Sequence, residues 1–347
     1  MFHFYKKVFG LSIELTVSRR KKKNRDEVFL TYLSRMISGM EKNTYLYKGK
    51  CYARNSIANY RKILNIWPEF EAASGHSRLR FSDITMEVYS GFMEYCDTCN
   101  YMDSTKYQYA SLIKSIMNCA LEDGCSSNTV QNSKGFVTHR TLSPYKRVYL
   151  TRKEIDSLAS LSLGRNTPME KVRDVFLAGC YTGQRFSDYS RISMDDIETI
   201  DIDGTEFKAL RKVQRKTGRT VMIPILDDCL LNIVDRWGGR LPKVSISSFN
   251  QRIKELCRMA GISGDVIMPC GRKGSRDCVR KQKYELVSSH TARRSYITNL
   301  YMDGRLSTEQ IRSISGHSSE ESFKRYLCQN LEDEAREIIK RYYSQRK

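Results

Sequence analysis

No run of apolar residues in this 347-residue chain approaches the length needed to span a bilayer, which excludes a membrane-spanning helix. No export signal is expected at the start either. Residues 1–15 place Lys6 and Lys7 before Val8-Phe9-Gly10-Leu11, but Glu14 breaks the apolar part and no small-residue cleavage site follows. The segment therefore reads as an ordinary N-terminal one. The eleven cysteines lack a metal-binding pattern: only Cys96 and Cys99 have zinc-like spacing, and Cys270 and Cys278 do not supply a matching second pair. Without an export signal, such usage points to thiols in a reducing cytoplasm and not to a disulfide framework. Acidic residues are in short supply, 39 against 59 Lys and Arg, and histidines number only five.

What is present in excess is positive charge, a formal +20. Such an excess costs self-repulsion in the folded state, and a polyanionic partner is its usual reason. Plain solubility would be served at least as well by acidic residues. Nucleic acid is favoured over an anionic membrane surface, because no basic amphipathic helix with a strongly apolar face is found. The densest basic run, Arg19, Arg20, Lys21, Lys22, Lys23 and Arg25, is equally compatible with a solvated tail and with an arm that contacts DNA.

The length accommodates two domains, each with its own core. After a basic segment at 1–25, residues 26–125 read as helical. Ile57, Tyr60, Ile63, Leu64 and Trp67 recur at helical spacing, and Pro68 marks the expected stop. Ile84, Val88, Phe92 and Tyr95 form a second pattern. Leu112, Ile113, Ile116, Met117, Ala120 and Leu121 form a third, closed by Gly124. Residues 126–150 are polar, basic and aperiodic, as expected of an interdomain linker. A second domain at 151–347 opens on Thr151 and Glu154, which have capping-box spacing. Short β-like runs at 197–202, 205–210 and 220–225 follow, the last two flanking a turn at Lys216-Thr217-Gly218. From Leu230 the pattern is helical again, apart from a basic loop at 271–283. The expected fold class is mainly α with a small β-sheet: a helical domain followed by an α+β domain.

Four separated segments of the second domain hold polar residues at points of structural punctuation. Tyr181-Thr182-Gly183-Gln184-Arg185-Phe186-Ser187-Asp188 places Arg185 just after a glycine turn, and Lys216 occupies the hairpin turn. His290-Thr291-Ala292-Arg293 opens a helix with apolar positions at Tyr296, Ile297, Leu300 and Tyr301. Ser307 and Gln310 form a capping box for a helix that Gly316 closes, so that His317 stands on a rigid turn. Tyr326 lies nine positions beyond His317, on the helix capped by 318–321. Two arginines, a lysine, two histidines and a tyrosine, with no acidic metal cluster, suit phosphodiester transesterification. Arginine forks bind nonbridging phosphate oxygens without a metal, a cationic pocket favours a phenolate nucleophile, and a lysine can protonate the leaving oxygen.

These segments resemble the tyrosine recombinase (phage integrase) family, in particular integrases of bacterial mobile elements. The family pattern of a TGxR box, a hairpin lysine, HxxR, GHxS and a tyrosine nine residues past that histidine is present in order across 151–345. The resemblance implies that Arg185 and Arg293 clamp the scissile phosphate and that Lys216 is the general acid. His290 would assist as acid/base or phosphate donor, His317 would hydrogen-bond the phosphate, and Tyr326 would form a 3′-phosphotyrosyl link. Asp188 matches an acidic position that supports the first arginine. The resemblance further implies no metal or nucleotide cofactor, double-stranded DNA attachment sites as partners, a homotetramer on DNA, and DNA-bending accessory proteins. The setting would be the bacterial cytoplasm and nucleoid, and the helical region at 26–125 would be a core-binding domain that closes a clamp on DNA. The 331–347 tail, with Leu331, Ala335, Ile338, Ile339 and Tyr342 at helical spacing, is expected either to dock on its own domain or to be donated to a neighbouring protomer.

Gln184 departs from the pattern, standing where an apolar residue is usual, and Lys212, Arg215 and Lys216 crowd the hairpin. Taken singly, each candidate has a plain structural reading: a surface arginine after a turn, a solvated turn lysine, a capping histidine, a packed tyrosine. The ordered set outweighs them. Two other functions share the pattern, a DNA-binding protein without catalysis and a type IB topoisomerase-like enzyme.

Overall fold

The computed structural model describes residues 7–8, 11–12, 26–138, 147–269, 278–328, 335 and 339. The basic run at 19–25, most of the basic loop at 271–283 and the apolar tail pattern at 331–347 lie outside these, except that 335 and 339 are helical and exposed. Two two-residue strands, β1 (Lys7–Val8) and β2 (Leu11–Ser12), pair antiparallel. The chain divides into two compact units, one with the described residues up to Thr138 and the other with those from Arg147 on.

In the first unit, α1 (Phe29–Glu41) buries Phe29, Tyr32, Leu33, Met36, Ile37 and Met40, a stripe at helical spacing. It packs on α2 (Arg54–Ala73), which also meets α3 (Met86–Thr98) and α4 (Asp103–Glu122). Trp67 is the centre of this core, with ring centroids 4.4 Å from Phe29 and 5.4 Å from Phe92. The stop predicted at Pro68 does not occur: α2 runs on to Ala73 with Pro68 inside it. The missing N–H costs the helix a bond to Leu64, worth about 3 kcal/mol with the ring clash. Burial of Trp67 and Phe70 on the inner face outweighs it, at about 1.5–3 kcal/mol for each large apolar side chain. Pro68 itself is exposed.

The linker expectation at 126–150 also needs correction. Residues 126–138 pack on the first unit, where Asn128 donates to the carbonyls of Phe81 and Ile84 and the Phe136 ring stacks on Tyr89 at 4.0 Å. Local polarity conceals this, because the polar side chains are spent on backbone groups of distant segments. At the other end Val148 and Leu150 are already buried in the second unit. The intervening 139–146 lie outside the described residues.

The second unit is built around α6 (Pro168–Thr182), which is buried on most of its sides. It is surrounded by α5 (Arg152–Ala159), α7 (Phe186–Tyr189), α8 (Cys229–Arg236), α9 (Ile246–Met259) and α10 (Ser289–Asp303). The Thr151–Glu154 capping box opens α5 as its spacing predicts, with both reciprocal bonds present. An antiparallel meander of β3 (Ile197–Ile202), β4 (Thr205–Val213) and β5 (Thr220–Pro224) follows α7, with Leu210, Val221 and Ile223 turned into the core. Helices α11 (Thr308–Ser315) and α12 (Glu320–Lys324) complete the unit. The helical pattern expected after Leu230 is interrupted by a second hairpin, β6 (Asp265–Pro269) with β7 (Cys278–Gln282). Its second strand is charged and exposed and carries little of the alternation by which a half-buried strand is recognised. Among the described residues no helix is long and apolar enough to cross a membrane.

Replacing Pro68 by Ala restores the missing donor to α2 on an exposed face. We expect this to stabilise the helix by about 1–3 kcal/mol, read as slower hydrogen exchange of the α2 amides in the full chain. Faster exchange would show instead that Pro68 is needed for packing around Trp67.

Candidate active site

Three glycine-containing turns, one helix start and one turn without glycine carry the candidate residues in the second unit. The first turn ends α6. Gly183 has φ +63, and a Cβ there would lie 2.2 Å from Cδ1 of Tyr296, so backbone conformation and close approach both demand glycine. The turn aims the Gly183 carbonyl inward, and Arg185 follows at the start of α7.

The helix start is that of α10. Ser288 N–H donates to Thr291 Oγ1 at 3.0 Å, Ser289 N–H to Asn250 Oδ1 at 2.8 Å, and the Tyr189 hydroxyl to the Ser289 carbonyl at 3.1 Å. This anchoring leaves His290 exposed and, three residues on, Arg293 fully buried. Arg293 donates through Nη1 to the Gly183 carbonyl at 2.8 Å and through Nη2 to His317 Nε2 at 2.9 Å.

The turn carrying His317 follows α11, whose Ser307–Gln310 capping box and left-handed Gly316 are as the sequence predicts. His317 is 5% exposed, and its Nδ1 lies 2.8 Å from Ser315 Oγ. Since Arg293 can only donate, Nε2 must accept, and the ring proton therefore sits on Nδ1 and is donated to Ser315. The Ser315 hydroxyl passes its own proton to the Ile311 carbonyl at 2.6 Å. Desolvation first, then the charges of Arg293, Arg185 and Arg312, push the His317 pKa down to about 3, which keeps the ring neutral.

Tyr326 does not stand on α12, as its spacing suggests, but on the tight turn just after it. Its N–H reaches back only three residues, to the Phe323 carbonyl at 2.8 Å. Arg147 holds the Arg325 carbonyl, and the Thr298 hydroxyl donates to the Tyr326 carbonyl at 3.4 Å, so neither is free to continue the helix. The phenol ring is half-buried, with its centroid 4.9 Å from that of His317 and 5.2 Å from the guanidinium carbon of Arg293.

The β4–β5 hairpin supplies the remaining groups. Of its cations, Lys212 is tied to Asp196 Oδ2 at 2.6 Å and to the Arg191 carbonyl at 3.1 Å, whereas Lys216 is exposed in the turn. Asp188 is buried beneath the hairpin, and its Oδ1 accepts the Arg215 N–H at 3.0 Å. Arg185 donates to the amide oxygen of Gln214 at 3.1 Å, so the hydrogen bond that holds it comes from a neutral side chain and not from Asp188. Sequence reasoning missed Gln214, Thr298 and Ser315 as parts of the site. A polar residue at a strand end carries no mark of burial, and only tertiary packing creates it.

The electrostatics follow from this crowding of cations. Burial, then the charge of Arg185, lowers the Arg293 pKa to about 10, while Tyr326 and Asp188 act in the opposite direction. Neither Arg185 nor Arg293 forms an ion pair among the described residues, and Arg293 Nε has no hydrogen-bond partner. His290 is also held below its ordinary pKa, by desolvation and then by Arg294, Arg293, Arg185 and Lys216. The structure thus brings Arg185, Arg293, His317 and Tyr326 into one group, with the Lys216 charge and the His290 ring close enough to be felt there and the Nε of Arg293 without a hydrogen-bond partner.

Residues 28–134 match the phage integrase SAM-like domain family model. The whole fold is similar to lambda integrase solved as a dimer on a core site, with TM-score 0.59 and 16% identity over 85% of this chain and 94% of that one. It is equally similar to the Tn1549 transposon integrase in complex with transposon right end DNA, with TM-score 0.59 and 12% identity over 91% and 99%. The XerH site-specific recombinase bound to its difH substrate gives 0.54 and 13% over 88% and 94%. The chain has the tyrosine-recombinase fold. No curated protein matches it by sequence. The resemblance read from the motifs is therefore borne out at the level of the fold, and the grouped residues occupy its second unit.

A histidine held neutral gives the recombinase fold a pH signature. The unfolded chain takes up a proton at His317 below about pH 6.5, but the folded chain does so only near pH 3. This contribution to stability is complete above pH 6.5 and is lost as pH falls from there toward 3. His317→Asn should flatten that part of the curve of unfolding midpoint against pH. Parallel curves for the two proteins would contradict the neutral assignment.

Proposed function

We propose that this protein is a site-specific DNA recombinase that cuts and rejoins strands through a 3′-phosphotyrosyl intermediate. The observation that carries the reading is the pair of arginines, one fully buried, that share a site beside a tyrosine ring and have no carboxylate partner among the described residues. Burying a guanidinium without a counter-charge is costly, and a phosphodiester entering the site would offset that cost. The phosphate would take the unpartnered Nε of Arg293 and the guanidinium of Arg185, both suited to nonbridging oxygens.

In this mechanism the Tyr326 oxygen attacks phosphorus, and the P–O5′ bond breaks as the P–O(Tyr) bond forms. Lys216 gives its proton to the departing 5′ oxygen. His290, neutral at pH 7 because its pKa is lowered, receives the proton from the phenol. His317 keeps Arg293 aimed while remaining uncharged. The phosphotyrosyl bond conserves the energy of the phosphodiester, so a second 5′ hydroxyl rejoins the strand by the reverse path without ATP. No step calls for a metal. Asp188 would fix the hairpin under Lys216 and temper the repulsion around Arg293.

The partner would be double-stranded DNA carrying attachment sites, bound in the cell's cytoplasm and nucleoid, with the first unit at 26–138 as a core-binding domain. The lambda integrase has been solved as a tetramer bound to a Holliday junction, and we infer a tetramer on DNA for this chain, assisted by DNA-bending proteins. The tail from 331 would serve the exchange between protomers. The surplus of 59 basic over 39 acidic residues supports DNA binding that weakens steeply with salt.

The test is a nicked duplex bearing the protein's binding site, selected from random-sequence DNA, so that cleavage traps the covalent complex. Wild type should form the adduct and Tyr326→Phe none. Arg185→Ala and Arg293→Ala should still bind but lose cleavage by about 10²–10³-fold, the scale for removing a preorganised donor. A chelator should leave the rate unchanged. Adduct formation by Tyr326→Phe would refute the nucleophile, strong inhibition by chelator would refute the metal-free mechanism, and relaxation of plasmids that lack the site would favour a topoisomerase.

A further inference from the structure

Gln184 and Gln214 are both fully buried, and no step of the proposed chemistry uses them. Buried amides are tolerated when their hydrogen-bonding capacity is met. Gln214 meets all of it. Its amide nitrogen donates to Gln184 Oε1 at 2.7 Å and to the Ser315 carbonyl at 3.0 Å. Its amide oxygen accepts from Arg185 Nη1 at 3.1 Å and from the Thr217 hydroxyl at 2.9 Å. Gln184 donates in turn to the carbonyls of Thr182 and Ile314, both at 3.1 Å.

The orientation of the Gln214 amide is fixed by these partners. If it were flipped, its oxygen would face the Ser315 carbonyl and its NH2 group would face a guanidinium, two repulsions in place of two bonds. The neighbouring backbone is shaped to the pair. A Cβ on Gly316 would lie 2.4 Å from the Gln214 nitrogen, so the turn that presents His317 admits the amide only because it is glycine. Three chain segments, carrying Arg185, Lys216 and His317, therefore meet on two neutral side chains.

Neutrality matters here. A carboxylate in the place of Gln214 would orient Arg185 equally well but would cancel part of its charge. An amide fixes the guanidinium and leaves that charge for an incoming anion. We propose that Gln184 and Gln214 are positioning residues for strand cleavage, a buried amide pair that sets the aim of Arg185 at the scissile phosphate. This rests on the recombinase reading and deepens it.

The test compares single-turnover cleavage of the nicked duplex with that of the same duplex carrying a methylphosphonate at the scissile position, which removes the negative charge that Arg185 would meet. On the phosphodiester, Gln214→Leu should cleave about 10–100-fold more slowly than wild type, the range for partners that orient a functional group, with DNA affinity within about twofold. On the methylphosphonate the gap between variant and wild type should shrink at least fivefold. Gln184→Leu, which keeps the Arg185–Gln214 bond and removes one restraint on it, should show a smaller loss with the same narrowing, and it carries the test if Gln214→Leu does not fold. An equal gap on both substrates, or no loss in either variant, would overturn the positioning role. Failure of wild type to form any adduct would instead overturn the recombinase reading beneath it.

Discussion

A guanidinium with no accessible surface, held by a backbone carbonyl and a neutral imidazole, is the constraint on which the second unit depends. Arg293 cannot be neutralised by proton loss at ordinary pH, and among the described residues no carboxylate pairs with it. Its neighbours must therefore be arranged to tolerate a buried charge. Gly183 adopts a left-handed turn and aims its carbonyl at Nη1, a conformation possible only because glycine has no Cβ to strike the Tyr296 ring. His317 must present a lone pair, and Ser315 sets the tautomer that provides one. The cost of this arrangement is what makes the site responsive to an anion.

From that centre the rest of the site is a matter of fastening. Apart from Lys216 in its hairpin turn, the functional groups stand near the points where helices start or stop, so that rigid elements hold them. Tyr326 is the clearest instance. The carbonyls of Arg325 and Tyr326, which a continuing helix would need, are bound by Arg147 and Thr298, and the chain is thereby turned to set the phenol against His317 and Arg293. Asp188 and the two glutamines work from beneath, securing the hairpin and the two glycine turns through backbone groups as well as side chains. The placement of reactive groups is thus set by hydrogen bonds that would read, residue by residue, as ordinary packing.

Much of this was legible before the structure. The capping boxes at Thr151 and Ser307, the left-handed glycines at 183 and 316, and the hairpin around Lys216 follow from local rules, because each is decided within a few residues of chain. The ordered motifs pointed to the fold for the same reason. What escaped were features decided at long range. Pro68 continues a helix because aromatic burial on the opposite face outweighs the lost bond, and residues 126–138 pack because Asn128 and Phe136 find partners about fifty residues away. Gln214 resembles a surface residue, and Gln184 only a departure from an apolar position, until each meets the other across a separation of 30 positions. The β6–β7 hairpin carried too little alternation to register. Local chemistry could be read, but tertiary partnership could not.

Direct identification of the atom that joins protein to DNA tests the central claim most sharply. Covalent complex trapped on the nicked duplex would be digested with protease, and the DNA-linked peptide sequenced by mass spectrometry. A single linkage between a 3′ phosphate and the oxygen of Tyr326 is the result predicted here. A linkage at any other residue, or through a 5′ phosphate, would contradict the account.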